Sequence, residues 1–120
     1  MNDEINTREK IIKDHPLLFR HMSYLEIQDG WLDIIERLAD KLEPLIKAHH
    51  DISPNEEFQM YALQIKEKYG TLRFYMSNST DEMWDLIRTA EKESAITCEV
   101  CGKPGKMRKG GWLKTLCEEH

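Results

Sequence analysis

No stretch of this 120-residue chain approaches the roughly 18 uncharged apolar residues of a membrane-spanning helix. Its opening, MNDEINTREKIIKDHPLLFRHMSYLEIQDG, carries no apolar run of the signal-peptide kind. Membrane insertion and secretion are therefore not expected, and the expected location is the cytoplasm. Catalytic signatures are missing too: there is no Gly-rich phosphate loop, no Ser-His-Asp arrangement and no HExxH. Positive charge is in deficit, with 17 Lys+Arg against 22 Asp+Glu and a net charge of -5, a poor start for generic binding to phosphate backbones. Cysteine is scarce. The three residues, Cys98, Cys101 and Cys117, are an odd number crowded near the C-terminus, which argues against a disulfide framework and for a metal site.

What is present is globular. A chain that is 40% hydrophobic, 32% charged and 8% aromatic is neither a disordered tail nor a fibrous repeat, and 14.2 kDa gives room for one compact domain. Its last fifth is chemically distinct. Residues 98–120 carry Lys103, Lys106, Arg108, Lys109 and Lys114 against Glu99, Glu118 and Glu119, a surplus of two positive charges, while the rest of the chain is strongly acidic.

The first helix is expected to begin near Asn6 or Thr7 and to end where Pro16 disfavours helical geometry at His15, with Leu17, Leu18 and Phe19 as an apolar anchor behind it. From Asp29, a credible N-cap, the residues Trp31, Ile34, Ile35, Leu38, Leu42, Leu45 and Ile46 mark one face of an amphipathic helix. Pro44 would cost about 3 kcal/mol inside it, so a kink or a break and restart is expected there, followed by a loop over residues 49–57. Residues 58–69 fit both a strand and a helix. The β-favouring run Thr71–Met76 behind Gly70 tips the reading to a β-hairpin turning at Tyr69, Gly70 and Thr71. Ser79 and Glu82 then form a capping-box pattern ahead of Met83, Trp84, Ile87 and Ala90 at helical spacing.

The strongest motif follows. In Cys98-Glu99-Val100-Cys101-Gly102 two thiolates stand two residues apart on a tight turn, and Gly102 falls where the backbone usually enters a conformation that side chains disfavour. Fifteen residues separate this pair from Cys117-Glu118-Glu119-His120, a second pair at the same spacing. Together they make a Cys3His set suited to one tetrahedral Zn2+ per chain, with bonds of about 2.3 Å to sulfur and about 2.0–2.1 Å to nitrogen. A redox dithiol at Cys98 and Cys101 would leave the second pair unexplained. His49, His50 or His21 in place of His120, or three protein ligands and a water, are open alternatives. A closed four-ligand site has no open position for substrate, so it reads as structural, standing in for a core that 23 residues cannot build.

Between the pairs, KPGKMRKGGWLKTL is expected to form a short hairpin turning near Gly110 and Gly111 and packed by Trp112, Leu113 and Leu116. Lys106, Arg108 and Lys109 beside Trp112 make a candidate contact for phosphate or for an acidic protein surface; the plainer reading is a solvated loop with Trp112 as packing. Glu56, Glu57, Asp81, Glu82 and Asp85 are paired acids, yet they sit before a strand and at a helix N-terminus, where capping explains them. Adjacent His49 and His50 point apart on a helix and suit its C-terminal charge better than joint ligation.

The arrangement IKEKYGTLRFYMS, then LIRTAEKES, then TCEVCGKPGKMRKGGWLKTLCEEH resembles a family of small uncharacterised bacteriophage and prophage proteins. Their pattern is a KEKFGxLRFY-like strand pair, a TCExCGxPG knuckle and a GWxxTLCxxH ending, and the resemblance covers roughly residues 29–120, with DGW at Asp29–Trp31 in its upstream part. It implies a zinc-bearing phage-type accessory protein with Cys98, Cys101, Cys117 and His120 as ligands, and it brings no activity with it. The stop at His120, where a treble-clef finger would continue into a helix, is the departure; it implies a truncated ribbon or a treble clef lacking that helix.

The expected fold class is α+β: N-terminal helices, a β-hairpin, a further helix and a C-terminal zinc ribbon, with a body over 1–97 and the ribbon over 98–120 packed on it as one domain. The expected core is Trp31, Ile34, Ile35, Leu38, Leu42, Leu63, Ile65, Leu72, Phe74, Trp84 and Ile87. The expected function is non-enzymatic: binding of a host or phage protein, including inhibition of a defence or regulatory protein. The alternatives are a nucleic-acid-binding regulator using the basic ribbon loop and a metal-dependent nuclease.

Overall fold

The apolar spacing in this sequence changes period twice, from helical to alternating and back, and the structure follows it. It is a computed structural model that describes residues 7–52, 59–108 and 113–120. The order is α1 (Thr7–Asp14), a 3-10 turn (Asp29–Trp31), α2 (Leu32–Ile52), β1 (Ala62–Lys68), β2 (Thr71–Met76), α3 (Asp81–Ser94), β3 (Lys106–Arg108) and β4 (Lys114–Leu116). The α+β architecture is as expected. The strands form two separate antiparallel hairpins, β1–β2 and β3–β4. No described helix is long and apolar enough to cross a membrane.

Helix α1 stops before Pro16, and the chain then makes a turn whose Leu17 and Leu18 N–H groups are capped by the two carboxylate oxygens of Glu43 on α2, each at 2.9 Å. His15, buried, bridges the Ile11 carbonyl (2.6 Å) and the Asp40 carboxylate (2.7 Å), holding α1 against α2. Helix α2 neither breaks nor restarts at Pro44. The proline lies on the exposed side, while Leu42 and Ile46 on the buried stripe hold the helix before and after it. The helix also continues through His49 and His50 to Ile52, where a loop was expected; residues 53–57 of that loop lie outside the described residues. Asp29 is not the N-cap. It lies inside the 3-10 turn, Gln28 occupies the cap position without a side-chain capping bond, and the Asp29 carboxylate instead accepts from Arg8 at 2.6 Å.

The β1–β2 hairpin turns at Tyr69 (φ 55°) and Gly70 (φ 85°), two left-handed residues in the pattern that matches strand twist. Its buried face is Ile65, Leu72 and Phe74. Leu63, expected in the core, is 57% exposed. A bulge between Ala62 and Gln64 makes Leu63 the extra residue, so Ala62 takes the inward place that strict alternation would give to Leu63. Trp84 is the other correction at 51% exposed: Met83, Ile87, Ala90 and Ser94 form the buried stripe of α3, and Trp84 is one position off it. The remaining expected core residues are all buried.

Helix α3 runs along the open edge of β2 and satisfies it, because Ser94 Oγ accepts from the Leu72 N–H (2.9 Å) and the Glu91 carboxylate from the Phe74 N–H (3.0 Å). Its N-cap is Thr80, whose hydroxyl accepts from the Met83 N–H at 3.2 Å, one residue later than the expected Ser79. Thr80→Ala should therefore lower stability by about 1 kcal/mol and Ser79→Ala by less than about 0.5 kcal/mol in denaturant unfolding. The reverse ranking would restore Ser79 as the cap.

Candidate metal centre

Two tight turns supply the ligands. In the first, the Gly102 N–H donates to the Cys98 carbonyl (2.9 Å) and the Cys98 N–H to the Lys103 carbonyl (2.8 Å), which brings both thiols to one side; Gly102 takes φ 84°, the left-handed value expected of it. In the second, the His120 N–H donates to the Cys117 carbonyl at 3.3 Å. Strands β3 and β4, paired as Lys106 with Leu116, Met107 with Thr115 and Arg108 with Lys114, bring the turns together across the intervening chain.

All four ligand atoms lie within 4.8 Å of one another. Cys101 Sγ and Cys117 Sγ are 3.6 Å apart, Cys98 Sγ and His120 Nδ1 3.7 Å, and Cys117 Sγ and His120 Nδ1 3.1 Å. A tetrahedron with bonds of about 2.3 Å to sulfur and about 2.0 Å to nitrogen has edges of roughly 3.8 Å between sulfurs and roughly 3.5 Å from sulfur to nitrogen. These three of the six edges lie within about 0.4 Å of the ideal values and all four atoms are within 4.8 Å of one another, so the residues could hold a tetrahedral ion. They do not fit a disulfide, whose sulfurs stand about 2.05 Å apart, and all three cysteines are free. His120 completes the set. Of the open alternatives, His21 packs edge-on against Tyr61 at 4.4 Å between ring centroids, while His49 and His50 lie in the last turn of α2.

The donors divide electrostatically, with Cys98 and Cys117 shifted toward the thiolate and Cys101 and His120 toward their protonated forms. Burial pushes the Cys98 thiol up, but the backbone N–H groups of Cys101, Cys117 and Val100 outweigh it and carry the thiol from its ordinary 9.0 down to about 6. Cys117 is also lowered: burial opposes, and the His120 ring and Glu119 N–H prevail. The Lys103 N–H favours the Cys101 thiolate, yet desolvation and its two neighbouring sulfurs raise that thiol. His120 is raised by its bonds to Cys117 and Cys98. The sign for Cys98 is that of an acid depressed in the fold: its contribution to stability is full above 9.0 and is lost as pH falls through about 6. In metal-free protein the ultraviolet thiolate band should thus rise in separate steps, Cys98 first, near pH 6, and Cys101 last, above 9.0. A single step for all three thiols near 9.0 would contradict this.

Sequence reasoning missed the residues that seat the centre on the body. The Gly30 N–H donates to the Glu99 carbonyl (2.9 Å), Trp31 Nε1 to the Thr97 carbonyl (2.9 Å), and the Thr115 hydroxyl to the Gly70 carbonyl (2.7 Å). Glu99, 2% exposed, accepts from Gln28 Nε2 at 2.9 Å through one oxygen and has no partner for the other, and burial raises its carboxyl above the ordinary value. The DGW triplet was the available signal, but only as part of a resemblance. A Cβ on Gly30 would stand 2.1 Å from the Cys98 carbonyl oxygen, so the body and the first knuckle meet where no side chain fits.

The basic hairpin divides. Lys106 is exposed, whereas Arg108 is half-buried and donates to the Cys117 carbonyl at 2.7 Å, bracing the second ligand turn. Lys109, Gly110, Gly111 and Trp112 lie outside the described residues. Lys103 pairs with Glu119 at 3.3 Å; Leu116 is half-buried and Leu113 is 38% exposed. Asp81 and Glu82 occupy the first turn of α3, as expected for capping acids, and Glu56 and Glu57 lie outside the described residues.

The chain matches no protein-family model, no curated protein and no solved structure.

Proposed function

We propose that the protein is a non-enzymatic recognition protein of the phage accessory kind, in which one Zn2+ held by Cys98, Cys101, Cys117 and His120 fixes the C-terminal hairpin for contact with a host or phage protein. The observation that supports this reading is the Cys3His cluster, whose four potential ligand atoms lie within 4.8 Å of one another. Three thiolates and an imidazole favour Zn2+ over hard cations, and four protein ligands leave no coordination position for a substrate. The metal therefore contributes folding energy to a segment that has little core of its own, which is the role of structural zinc.

Zinc-loaded protein on an affinity support should recover a stoichiometric protein from bacterial lysate in a complex that survives high salt and is lost on chelation. Recovery unchanged by chelation, or no stoichiometric partner, would sink this reading. The alternative of nucleic-acid binding through the ribbon loop has weaker support, because Arg108 is tied to the Cys117 carbonyl and Lys103 to Glu119.

A further inference from the structure

An acidic chain that gathers unpaired cations beside exposed aromatic rings invites a specific reading. The outward face of β2 and the flank of α3 that adjoins it enclose an open groove of about 300 Å³, lined among others by Arg73, Arg88 and Lys92. None of the three makes an ion pair among the described residues, although most other described arginines and several lysines do or are hydrogen-bonded. Arg73 Nε is buried and has no hydrogen-bond partner. Lys66, paired across the ladder with Arg73, extends the positive charge along the same outward face. The groove's acid, Glu91, accepts the Phe74 N–H through one carboxylate oxygen and keeps its charge, so the lining carries three cations against one acid.

Two large exposed rings lie on the same strand face and helix stripe as these cations, beyond the residues that line the groove itself. Tyr75, 42% exposed, follows Arg73 by two residues and so shares its face of the strand. Trp84, 51% exposed, precedes Arg88 and Lys92 by four and eight residues, one stripe of α3. Trp84 to Lys92 spans about 12 Å of helix. Asp81, Glu82 and Asp85 stand at the Trp84 end of α3 and would repel phosphate there, which places phosphates at the Arg73, Arg88 and Lys92 end and bases on the rings.

We infer that the β2–α3 groove binds single-stranded nucleic acid, with Arg73, Arg88 and Lys92 on consecutive phosphates and Tyr75 and Trp84 stacked on bases. Cations that track a backbone beside rings that stack are the two elements of sequence-tolerant single-strand binding. The chain's net negative charge does not forbid it, since at physiological salt fields decay over about 8 Å and the nearest charges decide. This surface is separate from the metal centre and does not rest on the protein-binding reading.

The test is fluorescence anisotropy of the zinc-loaded full chain with a labelled oligothymidine of about ten nucleotides. Three phosphate contacts predict a slope near -2 in log affinity against log salt, a loss of roughly 16-fold between about 50 and about 200 mM. Arg88→Glu/Lys92→Glu should weaken binding at least about tenfold, and Trp84→Ala about tenfold with loss of the tryptophan quenching that stacking causes. The charge-matched control Lys13→Glu/Lys47→Glu, on α1 and α2, should change affinity less than about threefold. All of these side chains are exposed, and unchanged melting temperatures confirm the folds. No binding at low salt, equal loss in the control, or displacement by inorganic phosphate or polyglutamate at matched charge concentration would overturn the inference. So would weakening by Lys106→Glu equal to that of the groove variant, which would move the contact to the ribbon.

Discussion

Gly30→Ala is expected to lower stability by about 3 kcal/mol or more, a fall on the order of 10 °C in melting temperature, although the backbone angles at Gly30 suit any residue. The usual argument for a glycine, a left-handed φ, does not apply: only Gly70 and Gly102 among the described glycines have positive φ. What excludes a side chain is distance. A Cβ at this position would lie 2.1 Å from the Cys98 carbonyl oxygen, 2.5 Å from the Glu99 carbonyl carbon and 2.7 Å from its oxygen, all backbone atoms of a turn whose position the ligand cluster defines. The knuckle must withdraw by more than an ångström. With it go the bonds from the Gly30 N–H to Glu99 and from Trp31 Nε1 to Thr97, the latter leaving a buried indole donor without a partner. The four ligands themselves are untouched, so the variant should still take up one equivalent of metal. A melting temperature within about 1 °C of the parent would show that the knuckle does not rest on the body in this way.

That contact also marks where sequence reasoning stops. The cluster was legible because its chemistry is local: two pairs at equal spacing suffice to single out Cys98, Cys101, Cys117 and His120, and the fold brings these four close enough that they could hold a metal ion. Helix α2 was legible because Trp31, Ile34, Ile35, Leu38 and Leu42 repeat with the helical period over several turns. Pro44 misled because its cost depends on which side of the helix it faces, and its exposed position is a tertiary fact. Leu63 misled for a related reason: alternation assigns faces only while the register is unbroken, and one bulged residue moves every assignment upstream of it. Trp84 shows the limit of hydrophobicity as a guide, because Met83 and Trp84 compete for one stripe and the smaller, more flexible side chain occupies it. Gly30, Glu99 and Thr115 could not be found at all from spacing, since Gly30 and Glu99 touch each other, Glu99 also touches Gln28 71 residues away, and Thr115 touches Gly70 45 residues away. Arg108 belongs with them, a cation that reads as a free contact in sequence and braces the Cys117 turn in the structure.

Cys101→Ser is expected to abolish stoichiometric zinc and to unfold the C-terminal segment while the helical body persists. This position isolates the metal from packing. Cys98 and Cys117 are buried, so serine there would combine a lost ligand with a buried hydroxyl, whereas Cys101 is exposed and its replacement removes a ligand and little else. Structural zinc binds finger peptides with apparent free energies of about 10–16 kcal/mol, and most of that binding is coupled to folding of the segment around the ion. The two short strands of this ribbon, three residues each, bury only Thr115 fully, so without the ion the hairpin has too little apolar contact to hold its loop closed. The body keeps its own core of Trp31, Ile35, Leu42, Phe74, Met83 and Ile87. Hydrogen exchange should then show protection lost at the Cys98, Glu99, Gly102 and Gly105 amides and retained through α2 and β2, with the same pattern produced in the parent by a chelator. Wild-type protection and zinc content in Cys101→Ser would mean that the fourth donor is dispensable. Full protection after chelation would mean that the ribbon folds by its hydrogen bonds alone and that the metal has another role.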